Sequence, residues 1–558
     1  MRGLVILLLL TSCAAEQTWR RAPHDRVYQH VPPPIEHPLP PPRHVVYEWW
    51  QAASRGAIEP LAHGLSPRTA LELLIEREEA GDLNHFGQVV GSTWFEPRLG
   101  ARTMSTEAVA KGNALRPPAP GALLVLGGKL SGATPGMVVE DSTGARFVVK
   151  FDPPGFPEMS SAAEVIVSRA LHAAGWFVPE NYLYDIRVDS LTLAPGATTR
   201  GEYNEEVPLT STMLRALIAN VNPRKDGTVR AMLSRFIPGK IIGAGSFRTR
   251  HHDDPNEALW PTDRRSMRGL GLFYNWMNNI DGRDSSTIAT WIASPSDPRL
   301  GHIEHYLIDF GDSLGGAGYR AKFPGEGYEL RVDWTGIASQ FFSLGFYYHY
   351  WLPVRRAPFR AVGFFESEIY VPEKWRPSIP NPSFEAMTVR DRYWAGSLIA
   401  RFTPEMITAL VAEAKFSEHG AAQFVAETLR ARQEKILGWA FAPVLPLDDP
   451  RVDGSVLSLT DLAAYAGVVP GGLRTLSWRA YWDNGLLTAG EIEDSREIAV
   501  DLGPALARFN TDRGAVVDAD PFVTVRFIDP TRPELGVNVH LRVDGKRLVP
   551  VGLDRDLE

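Results

Sequence analysis

Four charged residues on four different predicted elements constrain this chain more than any other feature. Lys150 closes the apolar strand Phe147-Val148-Val149-Lys150, and Glu164 lies early in a helix predicted over residues 160–175. Asp281 sits in the loop Asn279-Ile280-Asp281-Gly282-Arg283-Asp284-Ser285-Ser286-Thr287, and Asp309 ends the strand His305-Tyr306-Leu307-Ile308-Asp309-Phe310-Gly311. Each has an ordinary explanation when taken alone. A lysine at a strand end is usually a solvated edge residue. Glu164 stands in capping-box spacing with Ser161. Aspartates beside glycine commonly stabilise turns. Together, in this order, the four predict an α+β fold that gathers a sheet, a helix and two loops around one point.

Phosphoryl transfer from ATP needs such a set. A strand lysine holds phosphates, a helical glutamate holds the lysine, one aspartate faces the acceptor hydroxyl and the other holds Mg²⁺. Asp309, between Leu307-Ile308 and Phe310-Gly311, is placed as a hard oxygen ligand for Mg²⁺. The loop Gly127-Gly128-Lys129-Leu130-Ser131-Gly132-Ala133-Thr134-Pro135-Gly136 directly precedes the lysine-bearing strands. Its backbone N–H groups could approach phosphates, with hydroxyls from Ser131 or Thr134.

Around these residues the chain divides by composition and period. Residues 1–13 form a signal segment. Residues 14–46, with Pro32-Pro33-Pro34 and Pro38-Leu39-Pro40-Pro41-Pro42, form a tether of extended polyproline character. Residues 47–120, with a helix near 66–80, read as an N-terminal extension. Residues 121–239 carry strands at 123–126, 137–140, 145–151, 185–188 and 231–236 plus the helix bearing Glu164. Residues 240–445 turn helical, at 264–278 and again between about 391 and 440, where Thr403-Pro404 is an N-cap followed by proline at the first helical position. Between Asp281 and Asp309 there is room for two strands, 288–293 and 302–308. Residues 452–558 form a small β-containing C-terminal domain, with strands at 522–528 and 537–543 and a hairpin at Asp544-Gly545.

The stretch Leu130-Ser131-Gly132-Ala133-Thr134-Pro135-Gly136, the Lys150 strand, Glu164, Asp281 and Ile308-Asp309-Phe310-Gly311 resemble the HipA-like and phosphoinositide-kinase-like branch of the protein-kinase-like superfamily, over roughly residues 120–440. The resemblance implies a bilobal fold, with a small β-rich N-lobe and a larger helical C-lobe. It implies that Ser131, Gly132, Thr134, Lys150 and Glu164 serve the ATP phosphates. Phe236 and Ile237 of Phe236-Ile237-Pro238-Gly239 would form the interlobe hinge around adenine. Asp281 would be the catalytic aspartate and Asp309 the metal aspartate. Two departures stand out: Ser286 occupies the position of a metal-binding asparagine, where Asp284 could compensate, and Ile280 rather than a histidine precedes Asp281. Two functions therefore stay open. One is an ATP- and Mg²⁺-dependent phosphotransferase, or a related nucleotidyl transferase. The other is a catalytically inactive pseudokinase-like scaffold.

The N-terminus bears on location. Met1-Arg2 and an apolar run ending Leu10-Thr11-Ser12-Cys13 make a secretory signal too short to span a bilayer. Its end resembles the bacterial lipobox, which implies that Cys13 is lipidated; a free thiol in an ordinary signal peptide is the alternative. By the same resemblance, Ala14 in place of Asp favours an outer-membrane lipoprotein facing the periplasm. Cys13 is the only cysteine in 558 residues, so no internal disulfide is expected. A net charge of −8 argues against nucleic acid as the main partner. The expected partners are a nucleotide and the membrane; the sequence identifies no protein partner.

Three further clusters have bland readings. His251-His252-Asp253-Asp254 and His302-Ile303-Glu304-His305 lack the spacing of a metal site, and the two histidines of the second would point to opposite faces of a strand. The run Phe341-Phe342-Ser343-Leu344-Gly345-Phe346-Tyr347-Tyr348-His349-Tyr350-Trp351 could touch lipid. A buried core segment is the favoured reading.

Overall fold

The reversal at Asp141-Ser142-Thr143-Gly144 shows how the lysine-bearing strand is set. Asp141 Oδ1 accepts the backbone N–H groups of Thr143 and Ala145 at 2.9 and 3.0 Å. Gly144 takes φ +81°, a conformation that disfavours side chains. The computed structural model describes residues 34–40, 79–128, 136–200, 205–468, 474–483, 485–493, 497–513 and 521–557. The fold is mixed α+β with several sheets.

The strands are β1 (His37–Pro38), β2 (Leu123–Gly128), β3 (Gly136–Glu140), β4 (Arg146–Phe151), β5 (Asn181–Arg187), β6 (Leu191–Arg200), β7 (Glu206–Pro208), β8 (Thr228–Arg235), β9 (Lys240–Gly243), β10 (Thr287–Ala293) and β11 (Leu300–Leu307). A seven-stranded sheet has the order β5-β8-β4-β3-β2-β6-β7. Only its β2–β6 pair is parallel. Strand β4 is central, with alternate residues Phe147, Val149 and Phe151 buried and Lys150 on the other face. A second sheet, β1-β11-β10-β9, is built on the β10–β11 hairpin, with Thr287 opposite Leu307.

Helix α1 (Met159–Ala174) packs behind the lysine strand. All of its residues except His172 are buried, and its small residues Ser160, Ser161, Ala162 and Ala163 permit enclosure on every side. It begins two residues before Ser161. The Ser161 N–H and hydroxyl both donate to Asp152, at 2.8 Å each, so the capping-box reading of Ser161 and Glu164 does not hold.

Helix α2 (Arg265–Trp276) is buried along its whole length. Asp82 caps it from the N-terminal region, accepting Arg265 N–H at 2.6 Å and the Ser266 hydroxyl at 2.7 Å. Helix α3 is Trp334–Phe342, α4 Val389–Ala400, α5 Pro404–Ala412 and α6 Ala421–Phe441. Thr403 caps α5, its side chain accepting Met406 N–H with Pro404 at the first helical position. The main core joins α1, α2, α4, α5 and α6 around the buried Trp94, Trp176, Trp276 and Trp394.

The C-terminal strands are β12 (Leu447–Asp453), β13 (Val456–Asp461), β14 (Leu476–Trp482), β15 (Gly485–Ile492), β16 (Glu497–Asp501), β17 (Phe522–Asp529), β18 (Arg532–Asp544) and β19 (Arg547–Arg555). They form one sheet ordered β12-β13-β16 and another ordered β15-β14-β17-β18-β19, around a core of their own. Among the described residues, no helix is long and apolar enough to cross a membrane.

Candidate functional site

Lys150, Glu164 and Asp309 meet. Lys150 Nζ donates to Glu164 Oε1 at 2.6 Å and to Asp309 Oδ1 at 2.8 Å. Three separate elements converge to do this. Strand β4 turns Lys150 away from the sheet's apolar core, the enclosed helix α1 presents Glu164, and the chain after β11 presents Asp309. Glu164 is buried, whereas the Asp309 side chain is 42% exposed. Burial alone would lower the Lys150 pKa; Asp309 and Glu164 more than reverse this and raise it, so the ammonium stays charged. Asp309 has φ +65° and ψ +64°, an unusual conformation for a residue with a side chain, and precedes the buried Phe310.

These groups lie at a cleft of about 770 Å³ bounded by the seven-stranded sheet on one side and by β9, β10 and the segments 281–285 and 308–319 on the other. Leu126, Val138, Val148, Phe236, Ile237, Ile241, Ile288 and Ile308 give it an apolar lining, and Lys150, Glu164, Asp281, Asp309 and Asp312 a charged one. Gly127 and Gly128 line it from the end of β2. The remaining predicted loop residues Ser131, Gly132 and Thr134 lie outside the described residues, as does Cys13.

Asp281 reaches the same cleft with both oxygens engaged. Ser286 Oγ donates to Oδ2 at 2.8 Å, and the Arg283 guanidinium contacts Oδ1. Ser286 is buried against Asp281 and is not among the cleft's lining residues. Its hydroxyl orients a carboxylate. Asp284, the suggested substitute, is also committed elsewhere: Oδ1 accepts Phe247 N–H at 2.7 Å and Oδ2 accepts the Ser246 hydroxyl at 3.2 Å.

Sequence reasoning missed Asp312, a third aspartate lining the cleft. Burial pushes its pKa up, and the charges of Asp281 and Asp309 push it the same way. It interacts with Lys322, a buried lysine whose pKa burial lowers and whose ammonium donates to the Asn278 carbonyl. The repeated aspartate in Asp309-Phe310-Gly311-Asp312 was visible in the sequence. Its inward direction follows from the short turn Phe310–Asp312, which periodicity does not reveal.

The histidine clusters do not form a metal centre: among the described residues, no group of three or more His, Cys, Asp or Glu side chains could hold a metal ion. His305 instead pairs with Glu257 at 2.7 Å and stacks on Trp94 with ring centroids 3.9 Å apart.

No family model matches the chain, and no curated protein matches it. Among solved structures it is similar to a crystal structure of the Golgi casein kinase, with TM-score 0.27 and 8% identity, covering 61% of this chain and 76% of that one. It is similar also to the Golgi casein kinase with Mn/ADP bound, with TM-score 0.28 and 9% identity, covering 60% and 75%. Superpositions this loose transfer no residue role to the chain.

The site's chemistry suits a nucleotide with its metal. The cleft volume falls in the range of small-ligand sites, roughly 300–1,000 Å³. Apolar walls suit a base, Lys150 suits phosphate oxygens, and the partly exposed Asp309 offers a hard oxygen to a divalent cation.

Proposed function

We propose that the protein is an ATP- and Mg²⁺-dependent phosphotransferase with a bilobal, protein-kinase-like arrangement, or a closely related nucleotidyl transferase. The observation that carries this reading is Lys150 bridging Glu164 and Asp309 beside a cleft that also admits Asp281. Lys150 would bind phosphate oxygens, and Glu164 would hold its ammonium in place. Asp309 would ligate Mg²⁺, and Phe236 and Ile237 would flank the base. Asp281 would accept the proton of the acceptor hydroxyl. Bound ATP supplies the phosphoryl group, and Mg²⁺ neutralises the charge that develops on it. The HipA-like and phosphoinositide-kinase-like resemblance belongs to this proposal, as does a cell-envelope location through a lipid on Cys13.

A second reading, a nucleotide-binding scaffold without turnover, is favoured by one local feature. Both oxygens of Asp281 already carry partners, Ser286 and Arg283. Titration of the protein with ATP, with and without Mg²⁺, tests both. Mg²⁺-dependent binding that Asp309→Ala abolishes is expected. Binding without turnover would favour the scaffold, and no binding at millimolar nucleotide would overturn the phosphotransferase and leave a scaffold that does not use nucleotide.

A further inference from the structure

The aromatic run that favoured a core assignment lies on the outside. Phe341, Phe342, Leu344, Phe346 and Tyr348 are 75%, 83%, 87%, 90% and 68% exposed. They occupy the end of α3 and the turn that follows it, so they form a protruding knob. Isolated exposed apolar residues are ordinary, but a contiguous group of this size marks a contact surface.

Three observations identify what it contacts. First, the knob is convex. A folded partner would need a matching pocket, whereas a fluid lipid interface moulds itself to any protrusion. Second, residues 334–354 contain no Asp, Glu, Lys or Arg, and Arg355 and Arg356, both exposed, follow immediately. An uncharged aromatic tip, preceded by Asp333 and followed by two exposed arginines, of which Arg356 also lies over the Phe156 ring at 4.7 Å, offers apolar side chains to acyl chains and guanidinium groups to the phosphates of an anionic bilayer.

Third, the N–H groups of residues 344–347 find partners within the knob. Gly345 N–H donates to Gln340 O at 2.8 Å, Phe346 N–H to Ser343 O at 3.0 Å, and Leu344 N–H to Phe341 O at 3.2 Å. Tyr347 N–H donates to Ser343 Oγ at 2.8 Å, and the Gln340 amide donates to Tyr347 O at 3.0 Å. Polar backbone groups left bare would oppose entry into hydrocarbon; here the four N–H groups of the turn are paired before entry.

We propose that residues 337–348 form a membrane-docking knob that inserts Phe341, Phe342, Leu344 and Phe346 into the interfacial region of an anionic bilayer, with Arg355 and Arg356 on the headgroups. The proposal does not depend on the phosphotransferase reading, nor on lipidation of Cys13.

The chain's single cysteine makes the test direct. In a Cys13→Ser background, Leu344→Cys carries the only thiol, and an environment-sensitive fluorophore on it reports the polarity at the knob. Lys546→Cys, on the exposed β18–β19 turn, is the control. Vesicles of phosphatidylcholine with phosphatidylglycerol should blue-shift the label at 344, and pure phosphatidylcholine should do so less. The label at 546 should not respond. Phe342→Ser with Phe346→Ser should weaken vesicle binding by about tenfold or more, in line with the loss of two buried aromatic side chains. Arg355→Gln with Arg356→Gln should remove only the preference for anionic lipid. A label at 344 that stays in water at saturating lipid overturns the proposal. So does one that responds to protein concentration in the absence of lipid, which would identify a second copy as the occupant.

Discussion

The Ser286 hydroxyl donates to Asp281 Oδ2 across 2.8 Å, and the same residue's carbonyl accepts Ile308 N–H at 2.9 Å. One buried serine thus fixes the loop aspartate and ties its loop to the strand that delivers Asp309. A shorter side chain at this position orients a carboxylate well, but it does not extend into the cleft as an amide would.

Ser286→Asn should therefore leave nucleotide binding intact and raise any phosphotransfer, because the longer amide can bring an oxygen to a metal ion that the hydroxyl does not reach. Release of ADP from ATP, measured beside a binding titration, separates the two effects. A loss of binding in this variant would mean that the serine's hold on Asp281 matters more than added metal ligation.

Lys150→Met should destabilise the fold as well as abolish nucleotide binding. Glu164 has a side chain only 3% exposed, and loss of the ammonium strands its carboxylate. Breaking such a buried pair from one side costs about 3–5 kcal/mol. Lys150→Met combined with Glu164→Leu should recover most of that stability without restoring binding, and denaturant unfolding of the two variants measures the difference.

Asp391 is a stability position remote from the cleft. It is fully buried, accepting Arg265 Nε at 3.0 Å and Arg268 Nη1 at 3.2 Å, and it completes a capping box with Thr388. Asp391→Ala removes the buried carboxylate shared by two enclosed guanidinium groups, leaving them their longer contacts to Glu79 at 3.4 Å and Asp263 at 3.7 Å, and should cost about 3 kcal/mol. Asp391→Asn, which keeps one acceptor, should cost less in the same unfolding experiment.

His172 gives a pH dependence with a defined sign. His172 is only half-buried at the surface of its helix, and the desolvation that this brings, reinforced by Arg98 and Arg102, lowers its pKa to about 3 from an ordinary value of 6.5. Between those values the unfolded chain binds a proton that the folded chain refuses, so stability falls as pH drops through that window. His172→Gln should flatten the stability profile between about pH 6.5 and pH 3 by up to one proton relative to the parent protein. Unfolding curves collected at several pH values give both slopes.

The elements around the cleft were legible because their signals are local. The apolar run Phe147-Val148-Val149 and the cap at Thr403 each act within a few residues, and each appears in the fold where it was expected. The β10–β11 excursion between Asp281 and Asp309 was visible for the same reason. What could not be read depends on direction. Glu164 and Ser161 matched a capping spacing, but Asp152, nine residues before Ser161, took the capping role. Ser286, Asp284 and Arg283 are within five residues of Asp281, yet only the folded loop decides which of them turns toward it. The aromatic run failed differently. Its hydrophobicity suggested the interior, whereas hydrophobicity alone fixes only that water is a poor neighbour, which lipid satisfies as well.

The closed base of the β10–β11 hairpin has a consequence for how such a chain can vary. The hydrogen bond from Ile308 to Ser286 shuts the excursion where it begins, before either strand extends outward. Residues at its far turn, around Ser294 to Arg299, can be lengthened, shortened or opened to accept a foreign domain without disturbing the carboxylates at the root. The number of residues between Asp281 and Asp309 is thus uncoupled from the distance between them in space, because that bond holds the two ends of the excursion together whatever lies at its far turn.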